Sequence, residues 1–204
     1  FLQNPATPRF IEAGQVSAYV KISDGCSRKC AFCAIPAIRG KAQSRPIVEI
    51  ADEVKMLAQR GVVEVVLVSQ DTAAYGRDRD DGADLTGLIR ALDGIEEIPW
   101  VRLLYLYPDD VTDELLHAIA GAKKVLPYLD IPVQHASGTM LKAMRRGHGE
   151  KDLQRLLKSI RGILKDAWLR TTVLVGHPGE TDADVDALVQ FIEDARFDHL
   201  GAFR

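Results

Sequence analysis

The sequence of 204 residues has no apolar run long enough to cross a membrane and no recognisable signal peptide. It also has no internal repeat and no low-complexity stretch. Its net charge is only −3, so direct nucleic-acid binding is not predicted. There are just three cysteines, and an odd number cannot all be paired in disulfides. Because free thiols suit a reducing compartment, we expect a cytoplasmic protein without a membrane partner.

One stretch lacks acidic residues. No Asp or Glu occurs between Gly25 and Val48, whereas five basic residues do, namely Arg28, Lys29, Arg39, Lys41 and Arg45. All three cysteines, Cys26, Cys30 and Cys33, fall in the same stretch with the spacing CxxxCxxC. Thiolates this close repel one another unless a cation binds them, and a coordinating thiol is deprotonated. The spacing therefore predicts a metal centre.

The number of thiolates limits the kind of metal centre. A structural zinc site normally takes four protein ligands, so three cysteines would need a distant histidine as the fourth. An iron–sulfur cluster binds four thiolates, so three would leave one iron open to another ligand. An open iron can bind a substrate or cofactor, whereas a fully ligated cluster only carries electrons. We favour the cluster, with zinc and a chance arrangement of cysteines as alternatives.

Strand and helix patterns alternate along the chain. Apolar, β-branched runs predict six strands, at residues 16–22, 62–68, 101–106, 128–131, 169–175 and 200–203. Helices are predicted to begin at Pro46, at the caps Asp84 and Thr112, before Leu153, and at Thr181. This alternation implies an α/β fold with a parallel sheet and right-handed crossovers. Residues 1–15 are predicted to be a lead-in segment. The pattern does not distinguish an open doubly wound sheet from a curved partial barrel.

Distinctive polar residues follow the predicted strands. In parallel α/β proteins, ligands bind at the carboxyl ends of the strands. The residues at those ends are Ser69, Gln70, Asp71, Tyr105, Tyr107, Gln134, His135, Ser137, Gly176, His177 and Glu180. Each has a simpler explanation, such as a turn, a hydrogen-bonded loop histidine, packing or helix capping. Likewise, Arg145 and Arg146 could lie on a solvated helix face. Only the cysteines at the same edge favour a functional interpretation.

The CxxxCxxC spacing, with Phe32 just before the last cysteine, resembles the radical S-adenosylmethionine (SAM) superfamily. The longer stretches CSRKCAFCAIPAIRG, LVSQDTAAYG, YLDIPVQHASGTMLKAMRRG and GHPGET are similar to methylthiotransferases, and the similarity covers nearly the whole chain from Ser17 onward. This resemblance implies a partial (β/α)6 TIM-like barrel over residues 16–204. It also implies a [4Fe–4S] cluster on Cys26, Cys30 and Cys33, with SAM bound to the open iron.

The same resemblance suggests which residues bind SAM. Ser69 and Gln70 occupy the place of the contact with the methionine amino group, and Phe32 lies where the backbone meets adenine. Arg146 is expected to pair with the methionine carboxylate and Gln134 to reach the ribose. Gly176 is expected to complete the SAM-binding rim, by which we mean the edge of the sheet where the carboxyl ends of the strands lie. No catalytic residue is assigned beyond the cluster ligands. His177 departs from the family, which commonly has Phe in G-F-P-G-E-T.

Methylthiotransferases have two relevant branches. The tRNA-modifying branch usually has GQN, an SHP-like segment and PVQSGS after three successive strands. This chain has SQD at 69–71, LYP at 106–108 and PVQHAS at 132–137, which resemble the branch that methylthiolates an aspartate β-carbon of a small-subunit ribosomal protein. The implied partners are that ribosomal protein and an electron donor such as flavodoxin or ferredoxin.

Family members also carry a second cluster in an amino-terminal domain and a carboxy-terminal TRAM-like β-barrel. Three cysteines suffice for only one cluster, so we expect the amino-terminal cluster domain to be absent from this chain. Because the sequence stops at Arg204, directly after the sixth predicted strand, we expect the TRAM-like domain to be absent as well. The alternatives are a tRNA methylthiotransferase core, another radical SAM enzyme, and a non-enzymatic metal-binding module.

Overall fold

The structure is a computed structural model that describes residues 9–204. Its strands are β1 (Ser17–Lys21), β2 (Ser23–Asp24), β3 (Gln43–Ser44), β4 (Glu64–Val68), β5 (Trp100–Leu103), β6 (Val125–Asp130), β7 (Trp168–Leu174) and β8 (His199–Phe203). Its α-helices are α1 (Ile35–Arg39), α2 (Ile47–Gln59), α3 (Leu85–Asp93), α4 (Asp113–Gly121), α5 (Gly138–Ala143), α6 (Glu150–Ile163) and α7 (Asp182–Ala195). Short 3₁₀ turns lie at Thr72–Ala74 and Pro108–Asp110.

Six strands form one parallel sheet in the order β1-β4-β5-β6-β7-β8, and β2 pairs with β3 in a small antiparallel ribbon. The order of the large sheet follows the chain and never reverses. A doubly wound sheet requires a reversal, since its helices lie on both faces. With right-handed crossovers and no reversal, the helices all lie on one face, as in a barrel wall. The predicted α/β class and partial (β/α)6 barrel are confirmed.

The helices form a layer against this sheet. Helix α2 packs on α3, α3 on α4, and α4 on α6. Helix α2 buries Ile50, Val54 and Leu57, which are three or four residues apart and so share one face. Strands β1 and β4 contribute fully buried side chains such as Val20 and Leu67. Each large aliphatic side chain buried in this way stabilises the fold by about 1.5–3 kcal/mol. The layer interface is apolar, and polar residues gather where the strands end.

The predicted helix starts are confirmed by their capping bonds. The Asp84 carboxylate accepts a hydrogen bond from the Gly87 amide at 2.6 Å, and the Thr112 hydroxyl accepts one from the Leu115 amide at 3.2 Å. Thr181 and Asp184 form the predicted capping box of α7. Such caps satisfy backbone donors that the first helical turn leaves without partners.

Several short elements were not predicted, namely α1, α5 and the β2–β3 ribbon. Elements of two to six residues are too short for a periodic signal, and their conformation depends on tertiary contacts. Strand β6 also begins three residues earlier than the predicted residue 128. All the missed short elements surround the site described below.

The predicted lead-in segment is only partly described, since residues 1–8 lie outside the described range. Residues 9–15 contain no helix or strand, and Arg9 in this segment forms an ion pair with Glu53 of α2. Within residues 9–204, no helix combines the length and apolar character that crossing a membrane requires.

Candidate cluster and cofactor site

The three cysteines lie on a loop that leaves the end of β2. The amide of Cys26 donates to the carbonyl of Gly40 at 3.0 Å and closes the loop on itself. Gly25 has φ +76°, and a Cβ atom there would lie 2.3 Å from the backbone oxygen of Lys41. Only glycine combines this backbone angle with such a close approach. The loop therefore depends on Gly25 to present the thiols.

The three thiols are free and differ in exposure. Cys26 is buried, Cys30 is partly buried and Cys33 is exposed. Burial raises the pKa of the Cys26 thiol, and the negative charges of Asp71, Cys30 and Cys33 raise it further, against a hydrogen bond from the Arg28 amide. The thiolates therefore repel one another, as the sequence suggested, and a bound cation would relieve that repulsion.

The arrangement of the thiols bears on the two metal centres considered above. Within residues 9–204, no three side chains of His, Cys, Asp or Glu lie close enough to hold one metal ion. An iron–sulfur cluster spreads its thiolates over separate irons. Three free thiols on one loop are the donor set that a cluster with three thiolate ligands takes.

Arg28 fastens this loop to the ends of β4 and β5. Its Nε donates to Asp71 Oδ2 at 2.8 Å, and its Nη2 forms an ion pair with Asp110. Its guanidinium carbon lies 3.9 Å from the centroid of the Tyr107 ring. The amide of Arg28 also donates to Cys26 Sγ at 3.5 Å. Sequence reasoning counted Arg28 only as part of the basic stretch, because its carboxylate partners lie 43 and 82 residues further along the chain.

The end of α5 directs Arg146 toward the cluster loop. The amide of Arg146 donates to Leu141 O at 2.9 Å and the amide of Arg145 to Lys142 O at 3.0 Å, which is a Schellman motif. Arg145 takes the left-handed position of that motif with φ 55°, where glycine is usual. The Met144 carbonyl accepts a bond from the amide of Ala31 at 3.0 Å. The cluster loop and the end of α5 are therefore joined through their backbones.

Arg146 itself contacts a predicted cluster ligand. Its Nη1 donates to Cys30 Sγ at 3.5 Å, and its Nη2 donates to the carbonyl of Pro132 at 2.9 Å. Its Nε is buried without a hydrogen-bond partner. Arg146 is therefore not a solvated surface residue, whereas Arg145 is exposed.

In the SQD segment, Ser69 stabilises a turn, whereas the side-chain oxygen of Gln70 has no partner. The Ser69 hydroxyl lies 3.1 Å from the Thr72 hydroxyl and accepts a bond from the Asp71 amide at 3.2 Å, so turn geometry accounts for Ser69. The Gln70 Oε1 atom is buried without a partner. A buried amide oxygen without a donor is costly, which is a physical reason to expect a ligand beside Gln70.

Strained backbone collects at the same rim. Four non-glycine residues among residues 9–204 have positive φ, and three of them, Tyr105, Gln134 and Arg145, lie in the loops after β5, β6 and α5. Left-handed backbone of this kind costs about 1–3 kcal/mol, and it concentrates at functional sites. The Gln134 backbone bonds Thr172 and Leu174 of β7, whereas its side-chain amide has no partner within residues 9–204.

His135 and Glu180 brace the loops that carry Gln134 and Gly176. The buried His135 ring accepts bonds at Nδ1 from the amides of Ala136 and Ser137, both at 3.0 Å, so its proton lies on Nε2. Nε2 donates to Glu180 Oε1 at 3.0 Å, and Glu180 Oε2 accepts a bond from the Gly176 amide at 2.6 Å. Burial lowers the pKa of His135 despite the opposing effect of Glu180. The Gly176 amide is thus occupied within the protein.

The remaining predicted residues are less closely integrated. Phe32 is 40% exposed near Cys33. His177 Nδ1 lies 3.2 Å from the carbonyl of Pro178, as expected of a hydrogen-bonded loop histidine. The structure therefore joins Cys30 to Arg146 directly and Gln134 to Gly176 through the His135–Glu180 brace.

The family model of the radical SAM superfamily matches residues 20–192. The chain belongs to the radical SAM superfamily. Membership implies a [4Fe–4S] cluster and SAM as cofactors, and the donor set on the cysteine loop fits them. The resemblance to radical SAM methylthiotransferases, enzymes that transfer a sulfur-containing group, is confirmed by the relatives that follow.

Several curated relatives are ribosomal protein uS12 methylthiotransferases. The chain is 46% identical to the ribosomal protein uS12 methylthiotransferase RimO of Sorangium cellulosum, over 97% of this chain and 42% of that protein. It is 44% identical to RimO of Syntrophus aciditrophicus, over 100% of this chain and 45% of that protein. It is 46% identical to RimO of Aquifex aeolicus, over 96% of this chain and 45% of that protein. The chain thus spans less than half the length of these relatives.

Solved structures support the fold alone. The radical SAM methyltransferase TsrM from Kitasatospora setae superposes with a TM-score of 0.75 at 17% identity, covering 98% of this chain and 39% of that one. Methylornithine synthase (PylB) superposes with a TM-score of 0.63 at 14% identity, covering 93% and 53%.

Proposed function

We propose that this chain is the SAM-cleaving core of a methylthiotransferase that acts on an aspartate of ribosomal protein uS12. The observation that carries the proposal is the similarity to RimO proteins at 43–46% identity over nearly the whole chain. The segments SQD, LYP and PVQHAS favour the same branch over the tRNA-modifying one. We assign the whole of residues 16–204 to this core, and the reducing cytoplasm suits its free thiols.

Cys26, Cys30 and Cys33 would hold the cluster, leaving one iron for SAM. When bound, the cluster supplies the electron that cleaves SAM to methionine and a 5′-deoxyadenosyl radical able to abstract hydrogen from an unactivated carbon. The protein contributes the geometry around it. Gly25 shapes the thiol loop, while Arg28 fastens that loop to Asp71 beyond β4.

Gln70 and Gln134 are the strongest candidates for direct SAM contacts. The Gln70 Oε1 atom is buried without a partner, and Gln134 is partly buried with positive φ. Each lies beyond the carboxyl end of a strand, on the same edge of the sheet as the cysteine loop. Amide groups can donate to a carboxylate or ribose oxygen and accept from an amine. The protein already engages the Ser69 hydroxyl and the Gly176 amide, so these two residues would shape the site rather than bind SAM through those groups. Phe32, 40% exposed, offers its backbone and ring to adenine.

The outer side of the cluster loop suits an acidic electron donor such as flavodoxin or ferredoxin. Lys29, Arg39 and Lys41 are exposed there, and the stretch contains no carboxylate side chain. Ile38 is 71% exposed beside them. A basic rim around an apolar patch steers an acidic partner toward the exposed Cys33 edge.

SAM cleavage tests the proposal. After anaerobic reconstitution we expect about four irons and four sulfides per chain, and under dithionite the protein should release 5′-deoxyadenosine from SAM. Gln70→Ala and Gln134→Ala should weaken SAM binding while iron content stays unchanged. Gln154→Ala, on the exposed face of α6, is the matched control. Stoichiometric zinc without sulfide, or SAM binding unaffected in both rim variants, would contradict these assignments.

The substrate is tested separately. The cluster would use all three cysteines of the 204 residues, so no thiolates remain for a second cluster. We therefore expect SAM cleavage without a methylthio mass shift when uS12, or a peptide spanning its aspartate, is added to this chain. A mass shift with this chain alone would show that one cluster suffices. Modification of a tRNA instead of uS12 would show that the chain belongs to the tRNA-modifying branch.

A further inference from the structure

Two arginines from distant parts of the sequence stack on one tyrosine beside the cluster loop. The guanidinium carbon of Arg28 lies 3.9 Å from the centroid of the Tyr107 ring, and that of Arg146 lies 4.1 Å from it. Both guanidiniums therefore contact the same ring. Each stack is a cation–π contact, and the ring fixes both cations at once. The Tyr107 hydroxyl is itself anchored, because it accepts a bond from the Gly147 amide at 3.3 Å.

The two arginines differ in how their charges are compensated. Arg28 forms ion pairs with Asp71 and Asp110, both of which are buried. No carboxylate among residues 9–204 forms an ion pair with Arg146. Its positive charge instead lies against a sulfur, through the 3.5 Å contact from Nη1 to Cys30 Sγ. Among the described residues, Arg146 is therefore a cation that contacts a predicted cluster ligand without a carboxylate partner.

We propose that Arg146 is an outer-sphere residue of the cluster, which donates to the Cys30 sulfur and raises the cluster's reduction potential, and that Tyr107 is the residue that positions it. The inference rests on the proposed cluster. Reduction adds one negative charge to the cluster, so a nearby cation and an N–H···S bond stabilise the reduced state more than the oxidised one. Because Arg146 is only partly exposed, solvent screens this effect incompletely.

This role differs from pairing with the methionine carboxylate. Bidentate pairing uses two N–H groups along one edge of the guanidinium. In the structure both Nη atoms of Arg146 already have partners, and its Nε is buried. A bidentate carboxylate would have to use the N–H groups that these contacts leave, or displace Cys30 or Pro132. The two roles make opposite predictions for the protein without SAM.

The test is the midpoint potential of the reconstituted cluster in the absence of SAM, from an anaerobic redox titration followed by electron paramagnetic resonance. We expect Arg146→Gln to shift the potential to a more negative value. Arg146→Lys, which keeps the charge but loses the planar fork, should give a smaller shift in the same direction. Arg145→Gln, at the exposed neighbouring position, should retain the parent potential.

Tyrosine variants test the positioning role independently. Tyr107→Leu removes the ring that both cations contact and should also lower the potential. Tyr107→Phe keeps the ring and should match the parent more closely than Tyr107→Leu. If Arg146→Gln does not retain iron, the midpoint potentials of Arg146→Lys and Tyr107→Leu are each compared with that of the parent. More negative values in both would support the role of Arg146 at the cluster.

Parent potentials in both Arg146→Lys and Tyr107→Leu would overturn the proposal. It would also be overturned if Arg146→Gln kept the parent potential and lost only SAM affinity, since that result assigns Arg146 to the carboxylate. Failure of the parent chain to form any cluster would instead defeat the proposed function.

Discussion

The Nε2 atom of His135 donates to Glu180 at 3.0 Å, and this bond ties the loop after β6 to the loop after β7. His135 is fully buried, and its Nδ1 atom accepts two backbone amides, so the neutral ring uses both nitrogens. Glu180 in turn accepts a hydrogen bond from the Gly176 amide, so the loop after β7 is held as well. The histidine belongs to the segment PVQHAS at residues 132–137.

The brace predicts how stability depends on pH. Burial lowers the folded-state pKa of His135, whereas an unfolded histidine titrates near pH 6.5. Below about pH 6.5 the unfolded state binds more protons, so the free energy of unfolding should decrease as pH falls. Denaturant unfolding between about pH 7.5 and 5.5 would measure this slope. His135→Gln should flatten it only in part, because burial also lowers the pKa of His148. Equal slopes in the parent and the variant would contradict a buried neutral His135.

Gly25→Ala should impair formation of the thiol loop. The added Cβ would lie 2.3 Å from the Lys41 oxygen at a residue with φ +76°, so the loop must shift. We expect reduced iron and sulfide content after reconstitution. Gly40→Ala is the matched control, since Gly40 has a similar φ of +78° but no atom within 4 Å of its added Cβ. Equal iron content in the two variants would show that the clash is unimportant.

Arg145→Gly should preserve or increase stability. Arg145 occupies the left-handed position that ends α5, where a side chain costs about 1 kcal/mol relative to glycine. The gain is offset in part by the greater freedom of glycine in the unfolded chain, so we expect an increase of up to about 1 kcal/mol in the free energy of unfolding. Lys142→Gly, inside the same helix, should instead lower it by about 1 kcal/mol. Destabilisation by both variants to the same extent would argue against the Schellman motif.

Asp71→Ala should destabilise the fold through Arg28. The carboxylate is buried and pairs with Arg28 Nε at 2.8 Å, and charge-assisted bonds of this kind contribute about 1.5–3 kcal/mol. Asp110 retains a bond to Arg28, so we expect the lower end of that range. Asp81→Ala removes an exposed pair with Arg79 and should leave the unfolding free energy unchanged. Equal unfolding midpoints for the two variants would disprove a structural role for the Arg28–Asp71 pair.

Much of the site could be predicted, because its signals are local. The CxxxCxxC spacing identified the three thiols, and the ends of successive strands identified Gln70 and Gln134. The sequence did not single out Arg28 from the other basic residues near the cysteines. The resemblance predicted a role for Arg146, but with the methionine carboxylate as its partner and not Cys30. The side-chain contacts of these arginines to Asp71, Asp110, Tyr107 and Cys30 join residues 39 to 116 positions apart in the sequence. No periodic pattern encodes such pairings.

The sequence by itself determined the alternation of strands and helices, the capped helix starts at Asp84, Thr112 and Thr181, and the location of the thiols. These features arise from hydrophobic periodicity and from side chains that bond backbone only a few residues away. The tertiary structure decided that the strand order never reverses, that Arg28 and Arg146 both contact Tyr107, and that His135 is neutral and bonded to Glu180. Those outcomes depend on which strands become neighbours and on what burial does to charged and polar groups, and both are properties of the folded chain.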